Sequence, residues 1–407
     1  MLWKLAWRNL WRNRTRTWLS ATVIAIGLMA LIFVDTMVEG MSVNMVKNAT
    51  DTIMGHAQIH AQGFRDEYDV KLTINNLDVM LTDLKDHSDL KDMSMRVVTY
   101  SMLSSAEGVE PILTLGIDPE EEKKLSKFDE AIIAGDYISS VSGGDLILGW
   151  KLAEKMELRL GERLVLTAVD AESGEMVQEL FRLSGIYKTG DNEMDASMAL
   201  APRETLQHML KLEGKIHEIA MRYAHMNEKG TPAIPVTKPD KESGNDLSLW
   251  TELMPAMQAA LQLTDQSMAI MGLILFFIVA LGITNTLLMG LYERMFEFGI
   301  IKSIGTTPWQ TARLMVYEAF CLGVFGSIVG LMLAVIVTIL FAKYGIDYTG
   351  IEYSGITFQE KIYPSIRLER LVVYPFWSLG FTLVASLYPA FKLWRILPVE
   401  ALRKRKF

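Results

Sequence analysis

Apolar residues gather in four long runs, while the rest of the chain mixes polar and apolar positions. The first run extends from Thr17 to about Val38 and carries one charge, Asp35, near its end. The second, Gln266 to Tyr292, carries none; the third, Leu314 to Ala342, has Glu318 close to its start; the fourth, Leu371 to Phe391, is uncharged. A helix crosses a bilayer with about 20 such residues, and buried core helices tend to be shorter, so four spans are predicted. The first run is also too long for the apolar core of a cleaved leader, and no small-residue cleavage site follows it cleanly. It reads as a retained anchor.

Ahead of the first run, Trp3, Trp7, Leu10 and Trp11 share one helical face, with Arg8 and Arg12 on another. That pattern predicts a helix lying in the headgroup layer, or a basic flank that enforces topology; the two are compatible. The stretch between the first two runs is mixed. His56 to His60 alternates like a half-buried strand, and Arg163 to Thr167 reads as a strand after the Gly161-Glu162 turn. Trp150 to Leu158 and Pro202 to Leu212 look helical, and Leu247 to Leu263 is expected to form a helix leading into the second span. Gly230 to Gly244, with Pro232, Pro235 and Pro239, reads as an exposed loop. The prediction is an α+β domain between the first two spans of a four-helix membrane protein.

Charge orients it. Lys4, Arg8, Arg12, Arg14 and Arg16 precede the first span, and Lys392, Arg395, Arg403, Lys404, Arg405 and Lys406 follow the fourth. Both termini are therefore expected in the cytoplasm, with the large domain outside. A hydrophobic share of 50% agrees with a membrane class, and a net charge of −8 argues against a nucleic-acid partner. The single cysteine, Cys321, permits no intrachain disulfide and no thiolate metal site. Met93 and Met95 could offer thioethers to copper(I), but methionines more often fill irregular cores, and no metal site is expected.

Fragments of catalytic motifs fail on inspection. Gly144 and Gly149 have phosphate-loop spacing, but Trp150 stands where the lysine is required. Ser142-Gly143-Gly144-Asp145 faintly suggests an ATPase signature with no phosphate loop before it. His217-Glu218 begins a zincin-like motif that Met221 breaks. The chain is expected to catalyse nothing by itself.

The connection between the second and third spans is the informative segment. Glu293 and Glu297 lie four apart and so share a helical face, and Ile300, Ile301 and Ile304 supply an apolar one that must dock on something. Gly305 can end the helix in a left-handed cap; Thr306 or Thr307 can begin the next, with Pro308 in its first turn. The segment is a docking element for a soluble partner or a tidy connector between spans, and the residues alone leave both open. In the third span Gly323, Gly326 and Gly330 permit close helix packing, within the chain or against a second copy. Asn285 and Glu318 are polar groups at membrane depth or its edge and are expected to be paired, Glu318 with Arg294, Lys302 or Arg313.

The run Glu293-Arg294, two residues, Glu297, one residue, Gly299-Ile300-Ile301-Lys302-Ser303-Ile304-Gly305 resembles the coupling segment of the FtsX/MacB/LolC-LolE permeases, the type VII ABC transporters. Tyr388-Pro389-Ala390 and Pro398-Val399-Glu400-Ala401-Leu402-Arg403 are similar to that family's closing motif, and Trp7-Arg8-Asn9-Leu10 with Arg14 to Thr17 to its opening helix. Phe298, Pro308 and Trp309 depart mildly from the pattern. Gly116 to Pro119, Gly149 to Leu152 and Gly185 to Gly190 with Asp195 look most like the LolC-LolE branch. MacB-like chains carry an ATPase fused at the N-terminus, whereas this chain is expected to use a separate one.

The resemblance implies a cytoplasmic amphipathic helix (1–16), a first span (17–38), a periplasmic α+β domain (39–265), a second span (266–292), a cytoplasmic coupling loop (293–313), a third span (314–342), a short periplasmic loop (343–370), a fourth span (371–391) and a basic tail (392–407). It implies residence in a bacterial inner membrane and partnership with a cytoplasmic ABC ATPase dimer that binds the ATP and magnesium. A second permease copy or paralogue, membrane lipid and a periplasmic carrier or adaptor complete the implied machine. Its work would be mechanotransmission: ATPase closure moves the coupling loop, and the spans pass the movement to the outer domains, most simply to release lipoproteins. An FtsX-like transducer of a periplasmic enzyme and a MacB-like peptide or toxin exporter are the rival expectations.

Overall fold

The computed structural model describes residues 2–141, 143–226, 231–232, 244–353, 356–357 and 361–403. They form two units, a helical one from residues 1–42, 260–346 and 362–407 and an α+β one from residues 43–259 and 347–361.

The helical unit holds four helices long and apolar enough to cross a membrane. The first is Arg14–Ala49, the second Pro255–Glu293, the third Pro308–Tyr344 and the fourth Leu368–Arg395. At about 1.5 Å per residue all four exceed the ~30 Å hydrocarbon layer, so their polar ends project beyond it. The helix expected over Leu247 to Leu263 starts late and is interrupted at Met254, after which Pro255 opens the second helix. Asn245–Leu249 is instead a strand, followed by the short helix Trp250–Leu253. Strand pairing satisfies the backbone there, and a proline has no N–H to lose at a helix's first turn.

The three third-span glycines are used inside the chain. A Cβ on Gly326 would lie 2.8 Å from Cβ of Ile24, and one on Gly330 would lie 2.9 Å from the Ala25 backbone, both on the first span. Gly323 faces Leu379 and Thr382 of the fourth span at 3.0 Å. Close approach of three helices thus explains all three positions without a second copy. Gly330→Leu should force the first and third spans apart and destabilise the chain by about 1–3 kcal/mol or more. Thermal unfolding in detergent checks this; an unchanged midpoint would remove the seam.

Asn285 does not behave as expected. It is exposed and has no hydrogen-bond partner among the described residues, because Thr284 is the neighbour turned inward, its hydroxyl donating to the Ala385 carbonyl at 3.2 Å. At the end of the unit where Asp35 lies, Arg370 pairs with Asp35 and, at 3.0 Å, with Asp265, while Arg367 pairs with Glu39. These ion pairs join the first, second and fourth helices.

In the α+β unit the strands are β1 (Ala57–Ala61), β2 (Leu90–Ser104), β3 (Val109–Ile117), β4 (Ile132–Gly135), β5 (Asp145–Gly149), β6 (Arg163–Val169), β7 (Met176–Tyr187), β8 (Met198–Pro202), β9 (Glu218–Tyr223) and β10 (Asn245–Leu249). β2, β3, β8, β5, β7 and β6 pair in that order and β6 returns to β2, closing a six-stranded ring. Alternate residues such as Leu103, Ile112, Leu148, Leu166, Phe181 and Ala199 fill it. The first half of the long β2 belongs to a second, antiparallel sheet ordered β10-β1-β9-β2. β1 is buried on both faces, where half burial is predicted from its alternation. Helices Trp150–Lys155 and Arg203–Met209 fall within the helical stretches read from the sequence. Most of the loop expected at Gly230 to Gly244, including Pro235 and Pro239, lies outside the described residues.

Arg96, where β2 passes from pairing with β9 to pairing with β3, is fully buried. Its guanidinium binds both carboxylate oxygens of Glu122 at 2.6 and 3.0 Å, Glu218 at 2.9 Å and the Ile53 carbonyl at 2.5 Å. His217, a tempting zinc ligand, is a satisfied core histidine. Nδ1 accepts from the Val98 N–H at 3.0 Å, Nε2 lies 2.9 Å from the Val70 carbonyl, and the ring stacks on Phe64. Burial lowers its pKa, so the neutral ring is favoured. Met93 and Met95 pack against the core.

Candidate functional site

The site is built at the turn between the second and third spans. The second helix ends at Glu293, Arg294 breaks it, and a connecting helix runs Met295–Ser303. Its period-3.6 pattern divides cleanly. Met295, Phe298, Gly299 and Lys302 are buried, while Phe296, Ile300, Ile301 and Ile304 face outward, Ile304 at 81% exposure. Gly305 takes φ +106°, and the Thr306 N–H reaches the Ile301 carbonyl at 3.3 Å. Glycine suits that left-handed backbone. Thr307, rather than Thr306, caps the third span: its hydroxyl accepts from the Gln310 N–H at 3.3 Å, and the Gln310 side chain accepts from the Thr307 N–H at 3.1 Å. Pro308 follows in the first helical turn.

The charged residues of the segment look inward, toward the rest of the chain. Glu297 accepts two bonds from Arg12 at 2.8 and 2.9 Å and one from Arg294 at 3.2 Å. Burial alone would raise its pKa, but the two guanidiniums hold the carboxyl below its ordinary value. Glu293 meets Arg16 at a looser 3.4 Å. Arg294 also binds Glu318 at 3.0 Å, and Asn9 donates to the same carboxylate at 2.6 Å. Of the three partners expected for Glu318, Arg294 is the one found. Arg313 goes to the Tyr317 hydroxyl at 2.9 Å.

Lys302 departs most from its expected place on a docking face. Its ammonium is buried and donates to the carbonyls of Leu393 at 2.7 Å and Ile396 at 3.0 Å, closing the C-terminal end of the fourth helix. A cation there complements the helix dipole and the free carbonyls. Burial lowers its pKa.

The N-terminal helix Leu2–Arg12 lies against the third span. Ala6 and Leu10 are buried, whereas Trp3, Trp7 and Trp11 stay largely exposed. Leu10 therefore belongs to the packed face, not to the tryptophan face predicted for it. Trp3 meets Phe320 at 5.4 Å between ring centroids and Trp11 meets Phe325 at 5.8 Å. Arg8 is exposed, with no ion pair among the described residues. At the other terminus Pro389 is buried in the fourth helix, and the short helix Pro398–Arg403 packs against the connecting helix through buried Ala401, with Val399 exposed. The side chains of Glu400, Leu402 and Arg403 lie outside the described ones.

A broken helix turn with an apolar outer row, braced by the N-terminal helix and the short helix after the fourth span, belongs to a four-span chain that also carries an α+β domain. Two family models match, the MacB-like periplasmic core domain over residues 17–228 and the FtsX-like permease C-terminal over residues 269–398. The chain belongs to this family of ABC transporter permeases, with four transmembrane helices and a MacB-like periplasmic α+β domain between the first two. Among its relatives is the lipoprotein-releasing system transmembrane protein LolC of Neisseria meningitidis serogroup B, 22% identical over 95% of this chain and 94% of that one. Another is the corresponding protein LolE of Haemophilus influenzae, 20% identical over 94% and 93% respectively. Among solved structures, the periplasmic region of MacB from Actinobacillus actinomycetemcomitans is similar at a TM-score of 0.34 and 11% identity, over 51% of this chain and 94% of that one.

Proposed function

We propose that this chain is the non-catalytic membrane subunit that couples a separate cytoplasmic ABC ATPase, which binds the ATP and magnesium, to release of lipoproteins or other lipid-linked substrates from the inner membrane. The outward row Ile300, Ile301 and Ile304 carries the reading. Three apolar side chains exposed together at the end of a helix outside the spans need a protein surface to cover them. The arginine-rich N-terminus lies at the same end of the unit, and the positive-inside rule supports a cytoplasmic side for that end. The names and near full-length coverage of the LolC and LolE relatives support lipoproteins as the cargo. A second permease, identical or paralogous, and a periplasmic carrier complete the proposed machine.

The test is purification of the tagged chain from native membranes in mild detergent, with mass spectrometry of everything retained. An ATPase with a second permease or a lipoprotein is the expected result. An ATPase with a cell-wall hydrolase or an adaptor would keep the coupling and move the cargo reading to FtsX-like signalling or MacB-like efflux. Absence of any ATPase would overturn the proposal.

A further inference from the structure

We propose that Glu318 is a positioning residue that ties movement of the ATPase-docking helix to the third span, with the N-terminal helix held in the same clasp. This rests on the coupling function proposed above. The geometry is a chain of alternating charge through four segments. Asn9 of the N-terminal helix and Arg294 at the helix break both bind Glu318 of the third span, at 2.6 and 3.0 Å. Arg294 binds Glu297 of the connecting helix at 3.2 Å, and Glu297 binds Arg12 of the N-terminal helix at 2.8 Å. The Arg12–Glu297 pair is half exposed and carries little alone, whereas the Arg294 and Glu318 side chains are almost entirely enclosed.

Position gives the clasp its meaning. Helical continuity between the second span and the docking helix is lost at Arg294 alone, so displacement of the docking helix is absorbed there. The docking helix reaches the third span through the turn at 304–307, and the Arg294–Glu318 pair adds a side-chain tie between the break and that span. Beside Glu318 is a cavity of about 20 Å³, with Arg16, Thr17, Ser20 and Thr286 in its wall. It has room for one water.

The experiment uses the complete complex in lipid nanodiscs, with MgATP turnover, bound-ATPase stoichiometry and melting temperature all measured. Glu318→Gln, which keeps the shape and removes the charge, is expected to retain the ATPase and to stay folded at the assay temperature, with a lower melting temperature because Arg294 is left with Glu297 alone. It should lose the permease-dependent part of kcat by about tenfold at unchanged KM, within the usual span of coupling between sites. Glu318→Asp should restore most of it, and Asn9→Leu should lose part. Wild-type kcat in Glu318→Gln would overturn the inference. So would a roughly tenfold fall in ATPase stoichiometry, or a chain already unfolded at the assay temperature, because Glu318 would then be a brace only. A wild-type chain that never binds an ATPase would instead overturn the function on which it rests.

Discussion

Arg96→Ala should lower the melting temperature of the α+β unit by roughly 6–20 °C. The guanidinium is fully buried and neutralises part of the charge of two buried carboxylates, Glu122 and Glu218. Removing one partner of such a group leaves uncompensated buried charge, at a cost of about 3–5 kcal/mol. A unit of this size loses about 2–4 °C per kcal/mol. Burial already raises the Glu218 pKa above its ordinary 4.5, with Arg96 opposing that rise. Without Arg96 the folded Glu218 carboxyl binds a proton more readily than the unfolded one. The variant's stability should therefore recover as pH falls toward the ordinary carboxyl range and worsen above it. Scanning fluorimetry of the full chain across pH measures both effects. A loss under about 1 kcal/mol, or a deficit independent of pH, would refute the account. Replacing Arg96, Glu122 and Glu218 together with apolar residues of similar volume should cost far less than the single change, because no charge is then stranded.

The second large effect is on binding. Ile304→Asp is expected to weaken capture of the ATPase by about 30-fold or more, the equivalent of a hot spot of at least ~2 kcal/mol. Ile304 is 81% exposed, so the same change should leave chain stability within about 0.5 kcal/mol. That separation distinguishes a docking residue from a supporting one. Lys302→Glu is the informative contrast. It puts an acid against the Leu393 and Ile396 carbonyls, so any lost binding should come with a lower melting temperature. Titration of the purified ATPase against each variant in detergent reads both. Wild-type affinity in Ile304→Asp would remove the apolar row from the interface.

Local features were legible in the sequence because their causes are local. An uninterrupted apolar run is a span wherever it occurs, and the four helices contain the four runs read from it. Gly305, Thr307 and Pro308 mark a helix end and a helix start through backbone preferences that act within a few residues. The arginines before the first span and the isoleucines after the second announced a charged flank and an exposed apolar row in the same way.

Partners were decided only in three dimensions. Periodicity shows which side of a helix is apolar, and nothing in it says what will lie against that side. Lys302 has the look of a surface cation, yet it closes a helix end some ninety residues on. Gly326 and Gly330 suit a seam between copies as well as one within a chain, and only the nearness of Ile24 and Ala25 chooses. The ring of β-strands and the buried Arg96 depend on pairings between β2, β6 and β9, far apart in the chain, for which β2 alone carries no mark. Backbone propensity and hydrophobic burial are written residue by residue; the pairing of charges and close packing of helices depend on distances that exist only once the chain has folded.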